Sequence, residues 1–170
     1  MDDEYEKKKE ILKDLILREE DILALLQRIS RLAKPFLKIE EKTGRIVISS
    51  DFPLTNSERI FLFFLGKYLA YHSGITKETT AGMADLSEGL GIVATTLSAP
   101  LGRLVNREHV IQRTQKDTYQ VDPLRIEATL KAISQRHIPR EEPRTAESNS
   151  PNPFGNGFGA SNIKTETGNE

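Results

Sequence analysis

Apolar residues recur at helical spacing through residues 1–34, a segment that contains neither Gly nor Pro. Steps of three, four and seven residues predict one apolar face of a long amphipathic helix, which Pro35 would end. That face comprises Leu12, Leu15, Ile22, Leu26, Ile29 and Ala33, and a second stripe of Ile11, Ile16, Leu23, Leu25 and Leu32 widens it. Two interpretations remain open. Residues 1–34 form a coiled coil between two copies, or the helix packs on its own domain.

Apolar and polar positions alternate in the next segment, residues 35–50. Residues 36–39 (Phe-Leu-Lys-Ile) and 45–48 (Arg-Ile-Val-Ile) flank a polar run that ends at Gly44. Such alternation around a Gly-containing turn predicts a short β-hairpin, in which Gly44 supplies the positive φ that the turn requires.

A nearly continuous apolar run dominates residues 51–74. It follows Thr55-Asn56-Ser57-Glu58, which is a capping-box pattern, and Gly74 stands where a C-cap would lie. The run itself is Ile60-Phe61-Leu62-Phe63-Phe64-Leu65. A helix that is apolar on nearly every side must be surrounded by protein, so we expect the central helix of the core here.

Two shorter helices are predicted downstream of residue 79, with a tight turn between them. Met83, Leu86 and Leu90 share one helical face, after which Gly91 breaks the helix and Ile92 fills the space between helices. The inward face of the following helix consists of Leu97, Leu101, Leu104 and Val105.

A second hairpin and a last helix complete the pattern. Residues 110–113 and 118–121 flank the polar turn 114–117, which predicts two paired strands. Asp122-Pro123 then predicts a helix with Asp122 as its N-cap and Pro123 at its first position. Its apolar residues would be Leu124, Ile126, Leu130 and Ile133.

The order of these elements resembles the winged helix-turn-helix family of prokaryotic DNA-binding regulators over about residues 55–135. The most specific stretches are Leu86-Ser87-Glu88-Gly89-Leu90-Gly91-Ile92, Thr95-Thr96-Leu97-Ser98 and Leu101-Gly102-Arg103-Leu104-Val105-Asn106-Arg107-Glu108-His109-Val110-Ile111. The resemblance implies a mainly α fold with small β, in which residues 51–138 form the winged domain. It also implies that helix 93–106 enters the major groove of double-stranded DNA and that the hairpin, the wing, contacts the backbone or the minor groove.

The candidate DNA-binding residues follow from that resemblance and are Thr95, Thr96, Arg103, Asn106, Arg107, Arg113 and Lys116. The outward face of the helix also carries Ala99 and Gly102, whose small side chains would equally suit a close protein contact.

Pro100 removes one backbone hydrogen bond from this helix. That loss is tolerable if Thr95 or Thr96 is the N-cap, because Pro100 then lies in or just past the first turn.

Positive and negative charges balance over the whole chain but are unevenly distributed along it. The 170 residues hold 24 Lys and Arg against 25 Asp and Glu, which excludes a uniformly cationic coat for nucleic acid. Residues 93–116 nevertheless carry a net charge of +3, whereas residues 1–20 carry −3. The positive charge is thus concentrated where a winged helix would meet phosphates, although an ordinary solvated surface also remains an interpretation.

The sequence offers no enzyme chemistry. There is no Cys, and the three histidines, at positions 72, 109 and 137, lack metal-ligand spacing, so we expect no metal and no cofactor. We expect a cytoplasmic protein without membrane contact, because no signal peptide or apolar membrane span is present.

Residues 139–170 have the composition of a disordered tail. Its isolated Phe154 and Phe158 form a candidate docking motif for a protein partner.

The leading expectation is therefore a DNA-binding transcription regulator that forms a homodimer through residues 1–34. The main alternative is a non-enzymatic adaptor, whose winged domain and N-terminal helix bind proteins. A third is an RNA-associated factor.

Overall fold

The computed structural model describes residues 19–138, which are mainly helical with two small antiparallel sheets. The coarse fold class predicted from the sequence is thereby confirmed. The elements are α1 (Glu19–Ala33), β1 (Leu37–Ile39), β2 (Ile46–Ile48), α2 (Asn56–His72), β3 (Ala81–Gly82), α3 (Met83–Leu90), α4 (Ala94–Asn106), β4 (Ile111–Gln115), β5 (Thr118–Val121) and α5 (Ile126–His137). Residues 1–18 and the predicted tail 139–170, with Phe154 and Phe158, lie outside the described residues.

Helix α2 forms the centre of the core, as its sequence predicts. Its apolar run is almost fully buried; Ile60, Leu62, Phe64 and Leu65 have no exposed surface. The capping box is present. The Glu58 backbone N–H donates to the Thr55 hydroxyl, and the Glu58 carboxylate accepts from the Thr55 backbone N–H. These bonds satisfy donors that the first turn of a helix would otherwise leave unpaired.

The first hairpin, β1–β2, packs against α2. Leu37 pairs with Ile48 and Ile39 with Ile46 in antiparallel register. Gly44 has a φ of +69°, as the turn prediction requires, and a Cβ atom there would lie 2.5 Å from Cγ2 of Thr76. The hairpin prediction is therefore confirmed, and the position accepts no larger residue without displacement.

The second sheet has the strand order β3-β5-β4, with all neighbours antiparallel. The two-residue strand β3 comes immediately before α3. It pairs with β5 and adds a third strand to the β4–β5 hairpin. The sequence predicts only the hairpin. A two-residue strand of Ala81 and Gly82 is too short to give an alternation signal.

Helix α1 lies along α5, which favours packing on its own domain for this part of the N-terminal segment. Ile29 and Ala33 are buried in the core, and the Arg28 guanidinium lies 3.4 Å from the Glu127 carboxylate of α5. Pairing of two copies through residues 1–34 stays a prediction.

The last helix begins later than predicted, so Asp122 is not its N-cap. The Asp122 backbone N–H donates to the carbonyl of Val110 at 2.8 Å, which holds Asp122 at the end of the hairpin. Its carboxylate instead accepts from the backbone N–H of Leu124 at 3.0 Å, which closes a turn before α5. The turn leaves Leu124 85% exposed, so its expected place on the apolar face is also wrong. Ile126, Leu130 and Ile133 are buried as predicted.

No helix within residues 19–138 is long and apolar enough to cross a membrane.

Candidate nucleic-acid interface

The candidate interface is built on α4 and on the β4–β5 hairpin that follows it. Leu97, Leu101 and Leu104 bury the inner face of α4. This side of the helix packs against α2 and α3. All seven candidate residues are exposed. They are Thr95, Thr96, Arg103, Asn106, Arg107, Arg113 and Lys116.

Four of the candidates share the outer face of α4. At 100° per residue, Thr95, Thr96, Arg103 and Asn106 fall within an arc of about 100°. Ala99, also exposed, lies near the middle of that arc. The outer face thus combines one guanidinium and one amide with small side chains. Arginine and asparagine are the residue types that make paired hydrogen bonds to base edges in the major groove.

The turn between α3 and α4 sets the orientation of α4 relative to α3. Gly91 ends α3 in the left-handed conformation with a φ of +64°, a conformation that costs a residue with a Cβ atom free energy. The Ser87 hydroxyl donates to the carbonyl of Ile92 at 2.7 Å and closes the turn. The Ser87 hydrogen bond is a feature that sequence reasoning missed. The available signal was the serine that precedes the Gly91-Ile92 pair by one helical turn.

The N-terminus of α4 differs from the prediction. Val93 is the N-cap, so neither Thr95 nor Thr96 has that role, and Val93 provides no side-chain hydrogen bond. Pro100 is consequently the seventh residue of the helix, in its second turn, and is buried. Its missing N–H leaves the Thr96 carbonyl without its usual helical donor. Thr96 is exposed, so water can satisfy that carbonyl.

A tight connection joins the end of α4 to the β4–β5 hairpin. The backbone N–H groups of Arg107 and Glu108 both donate to the Arg103 carbonyl, at 2.9 and 3.1 Å. The N–H of Val110 donates to the Leu104 carbonyl at 3.0 Å, and Val110 is buried. These bonds attach the start of the hairpin directly to the last turn of α4. The two cationic elements are thus parts of one structural unit.

One of the two candidate cations on the β4–β5 hairpin is already paired. The guanidinium of Arg113 lies 3.3 Å from the carboxylate of Asp117, in the turn of the same hairpin. Both side chains are more than half exposed, so the pair is weakened by water and salt. Asp117 lies one residue beyond the window whose net charge is +3, and including it lowers that charge to +2.

The other three candidate cations form no ion pair with a residue of the described range 19–138. Among the described residues, no carboxylate lies within salt-bridge distance of Arg103, Arg107 or Lys116. Within residues 19–138, three guanidinium or ammonium groups, on α4, its C-cap and the β4–β5 turn, are therefore not engaged by a carboxylate. Exposed Lys and Arg side chains are groups that neutralise nucleic-acid phosphates.

A separate polar cluster joins the start of α2 to the end of α5. One carboxylate oxygen of Glu58 accepts from the Arg136 guanidinium at 2.5 Å and lies 3.1 Å from Nε2 of His137. Burial alone raises the pKa of Glu58, but the hydrogen bonds from Thr55 and His137 outweigh it, so the pKa lies below its ordinary value. The cluster holds α5 in place and lies on elements other than α4 and the wing.

Comparison with known protein families, with characterised proteins and with solved structures finds no match to this chain.

Proposed function

We propose that this protein binds double-stranded DNA through α4 and the β4–β5 hairpin and acts as a transcription regulator of the winged helix-turn-helix class. The observation that carries the proposal is a set of exposed cations, Arg103, Arg107 and Lys116, on a helix and the hairpin joined to it, which form no ion pair within residues 19–138. The order of elements supports it. A helix, a short strand, two helices around a glycine turn and a hairpin follow one another, with strand order β3-β5-β4.

In this proposal α4 enters the major groove. Arg103 and Asn106 face base edges, while Thr95 and Thr96 contact phosphates near the start of the helix. Arg107 and Lys116 bind the phosphate backbone on either side. Arg113 joins them only when the phosphate displaces Asp117, so it contributes less than an unpaired arginine.

Two cationic phosphate contacts per copy, from Arg107 and Lys116, give weak binding. Each contact changes the logarithm of affinity by roughly −0.9 per logarithm of salt concentration, so one copy gives a slope of about −1.8. A homodimer through residues 1–34 would double the contacts and would favour a pseudo-palindromic site, since two-fold symmetry in the protein matches two-fold symmetry in the DNA.

The test compares DNA affinities of full-length variants by fluorescence anisotropy with duplex DNA at low salt. Arg103→Ala should weaken binding by about 1–3 kcal/mol if Arg103 contacts a base. Lys42→Ala is the matched control. It removes an exposed cation from the loop between β1 and β2 and should leave affinity unchanged. Equal effects of the two substitutions would refute the proposed interface.

Protein binding by the same face is the second candidate. The observations that favour it are the small residues Ala99 and Gly102 on α4 and the 65% exposure of Val93 at its N-cap. Small side chains permit close backbone approach, and an exposed apolar residue gains free energy from being covered. Ala99→Glu should then abolish capture of a protein partner by the full chain, and Arg103→Ala should leave capture intact.

A further inference from the structure

A mainly apolar groove of about 390 Å³ opens on the side of the molecule formed by α1, β1 and the end of α2. Leu26, Leu37 and Leu69 supply apolar lining, one from each of these elements. Toward the start of α1 the apolar surface continues through Ile22, which precedes Leu26 by one helical turn. Ile22 and its neighbour Leu23 are 36% and 59% exposed.

One end of this groove is basic. Lys34 and Lys38 line it, and between residues 27 and 38 the chain has four cations and no acidic residue. Arg28 is paired with Glu127, but no described carboxylate pairs with Arg31, Lys34 or Lys38. The groove therefore suits an apolar helix face whose own charges are negative at the end that meets these lysines.

Residues 1–20 of this chain have the matching chemistry. Their net charge is −3, and residues 2–6 contain four carboxylates and no cation. Ile11, Leu12, Leu15 and Ile16 supply closely spaced apolar positions. As a helix, 20 residues would span about 30 Å, whereas Ile22 and Lys34 are separated by only about 18 Å along α1. The segment is therefore long enough to cover the groove.

A second copy supplies that segment more readily than the same copy does. A helix that continues upstream from Glu19 moves away from Lys34 by about 1.5 Å per residue. Residues 1–18 contain no Gly or Pro at which the chain would readily reverse. A second copy that runs in the opposite direction brings its acidic residues to the basic end. A parallel pair would instead place Lys34 and Lys38 of both copies side by side, which is unfavourable.

We propose that two copies form an antiparallel pair in which residues 1–20 of each copy lie in the α1–β1–α2 groove of the other. This inference specifies the surface and the direction of the homodimer contact that the proposed function invokes. It depends on charge and apolar matching within the pair, and DNA binding plays no part in it.

Cross-linking of single-cysteine variants tests the direction, because the chain has no native Cys. Leu12→Cys and Ser30→Cys place thiols in the N-terminal segment and in the groove. With a short bismaleimide and no DNA, the mixed variants should give an abundant heterodimer, while each variant alone gives little product. Abundant product from each variant alone, with little mixed product, would show a parallel pair and overturn the proposal.

Charge reversal tests the groove itself. Lys34→Glu with Lys38→Glu should raise the dissociation constant of the dimer about tenfold in sedimentation equilibrium, because two attractions become repulsions. Lys42→Glu with Arg45→Glu, which changes the loop beyond the groove lining, should leave it unchanged. Circular dichroism confirms that each variant is folded. A monomeric wild-type chain at all concentrations, or equal effects of both double variants, would overturn the proposal.

Discussion

Replacing Glu58 by Gln gives a sharp test of how the polar cluster holds the fold together. The carboxylate accepts from the Thr55 backbone N–H at 2.8 Å and from its hydroxyl at 3.0 Å through one oxygen. The other oxygen accepts from Arg136 and lies beside His137. Gln retains the shape and one acceptor oxygen, so the cap can persist, but its amide cannot accept from both Arg136 and His137.

The magnitude follows from how well each lost contact is shielded from water. The Glu58 side chain is only 6% exposed, but that of Arg136 is 60% exposed, so the Arg136 contact contributes at the low end for an ion pair, below about 1 kcal/mol. The His137 contact is shielded on both sides, and a buried unsatisfied donor costs about 1–3 kcal/mol. We therefore expect Glu58→Gln to lower the free energy of unfolding by about 2 kcal/mol.

The pH dependence gives the same residue a second signature. The pKa of Glu58 in the folded protein lies below the ordinary value of 4.5, so its ionised form stabilises the fold. That contribution is fully present above about pH 4.5 and is lost as the pH falls through the lowered folded-state pKa. Wild-type protein should therefore lose more stability than Glu58→Gln when the pH falls below about 4.5.

Urea unfolding followed by circular dichroism measures both effects. Glu41→Gln is the control, since Glu41 is an exposed loop residue in the β1–β2 hairpin and should change neither the stability nor its pH profile. If Glu58→Gln behaved as Glu41→Gln does, the cluster would have no role in holding α5 against α2.

Three further substitutions test the turn and the wing. Asp117→Asn removes the partner of Arg113 while tolerating the φ of +63° at that position. DNA binding should become tighter and its salt slope steeper by roughly 0.9, and an unchanged slope would show that Arg113 contacts no phosphate. Gly91→Ala should destabilise the fold by about 1–2 kcal/mol in urea unfolding because of its left-handed backbone, and a neutral effect would contradict that reasoning. Lys116→Ala should make the salt slope shallower by roughly 0.9, measured by the same titration, and a slope equal to that of wild type would exclude Lys116 from the contact.

Local patterns in the sequence were sufficient to predict most elements. The Thr55–Glu58 capping box, the glycine turns at Gly44 and Gly91, and the apolar periodicity of α4 all depend on residues close together in the chain. Because these signals depend on local backbone preferences and not on distant contacts, the predictions made from them agree with the structure. The burial of Ile126, Leu130 and Ile133 was predictable from periodicity for the same reason.

Features set by tertiary contacts could not be predicted. The late start of α5 depends on the hydrogen bond between Asp122 and Val110, which holds the chain at the end of the hairpin. The Glu58 cluster joins residues separated by 78 and 79 positions, and a single sequence contains no signal for that pairing.

Charge counted over a window was also an incomplete guide to the candidate interface. The count from residue 93 to 116 stops one residue before Asp117, which folds back onto Arg113 across the hairpin turn. The number of cations available to a partner therefore depends on the fold of the β4–β5 hairpin. A count from the sequence alone gives too high a number.

The salt dependence of duplex DNA binding by the full-length wild-type chain tests the central claim most directly. With phosphate contacts from Arg107 and Lys116, a plot of log affinity against log salt concentration should have a slope of about −1.8 for each bound copy. Competition with single-stranded RNA should not displace the duplex. Absence of binding at about 50 mM salt, a condition in which such contacts are strong, would contradict the DNA-binding role of α4 and the wing.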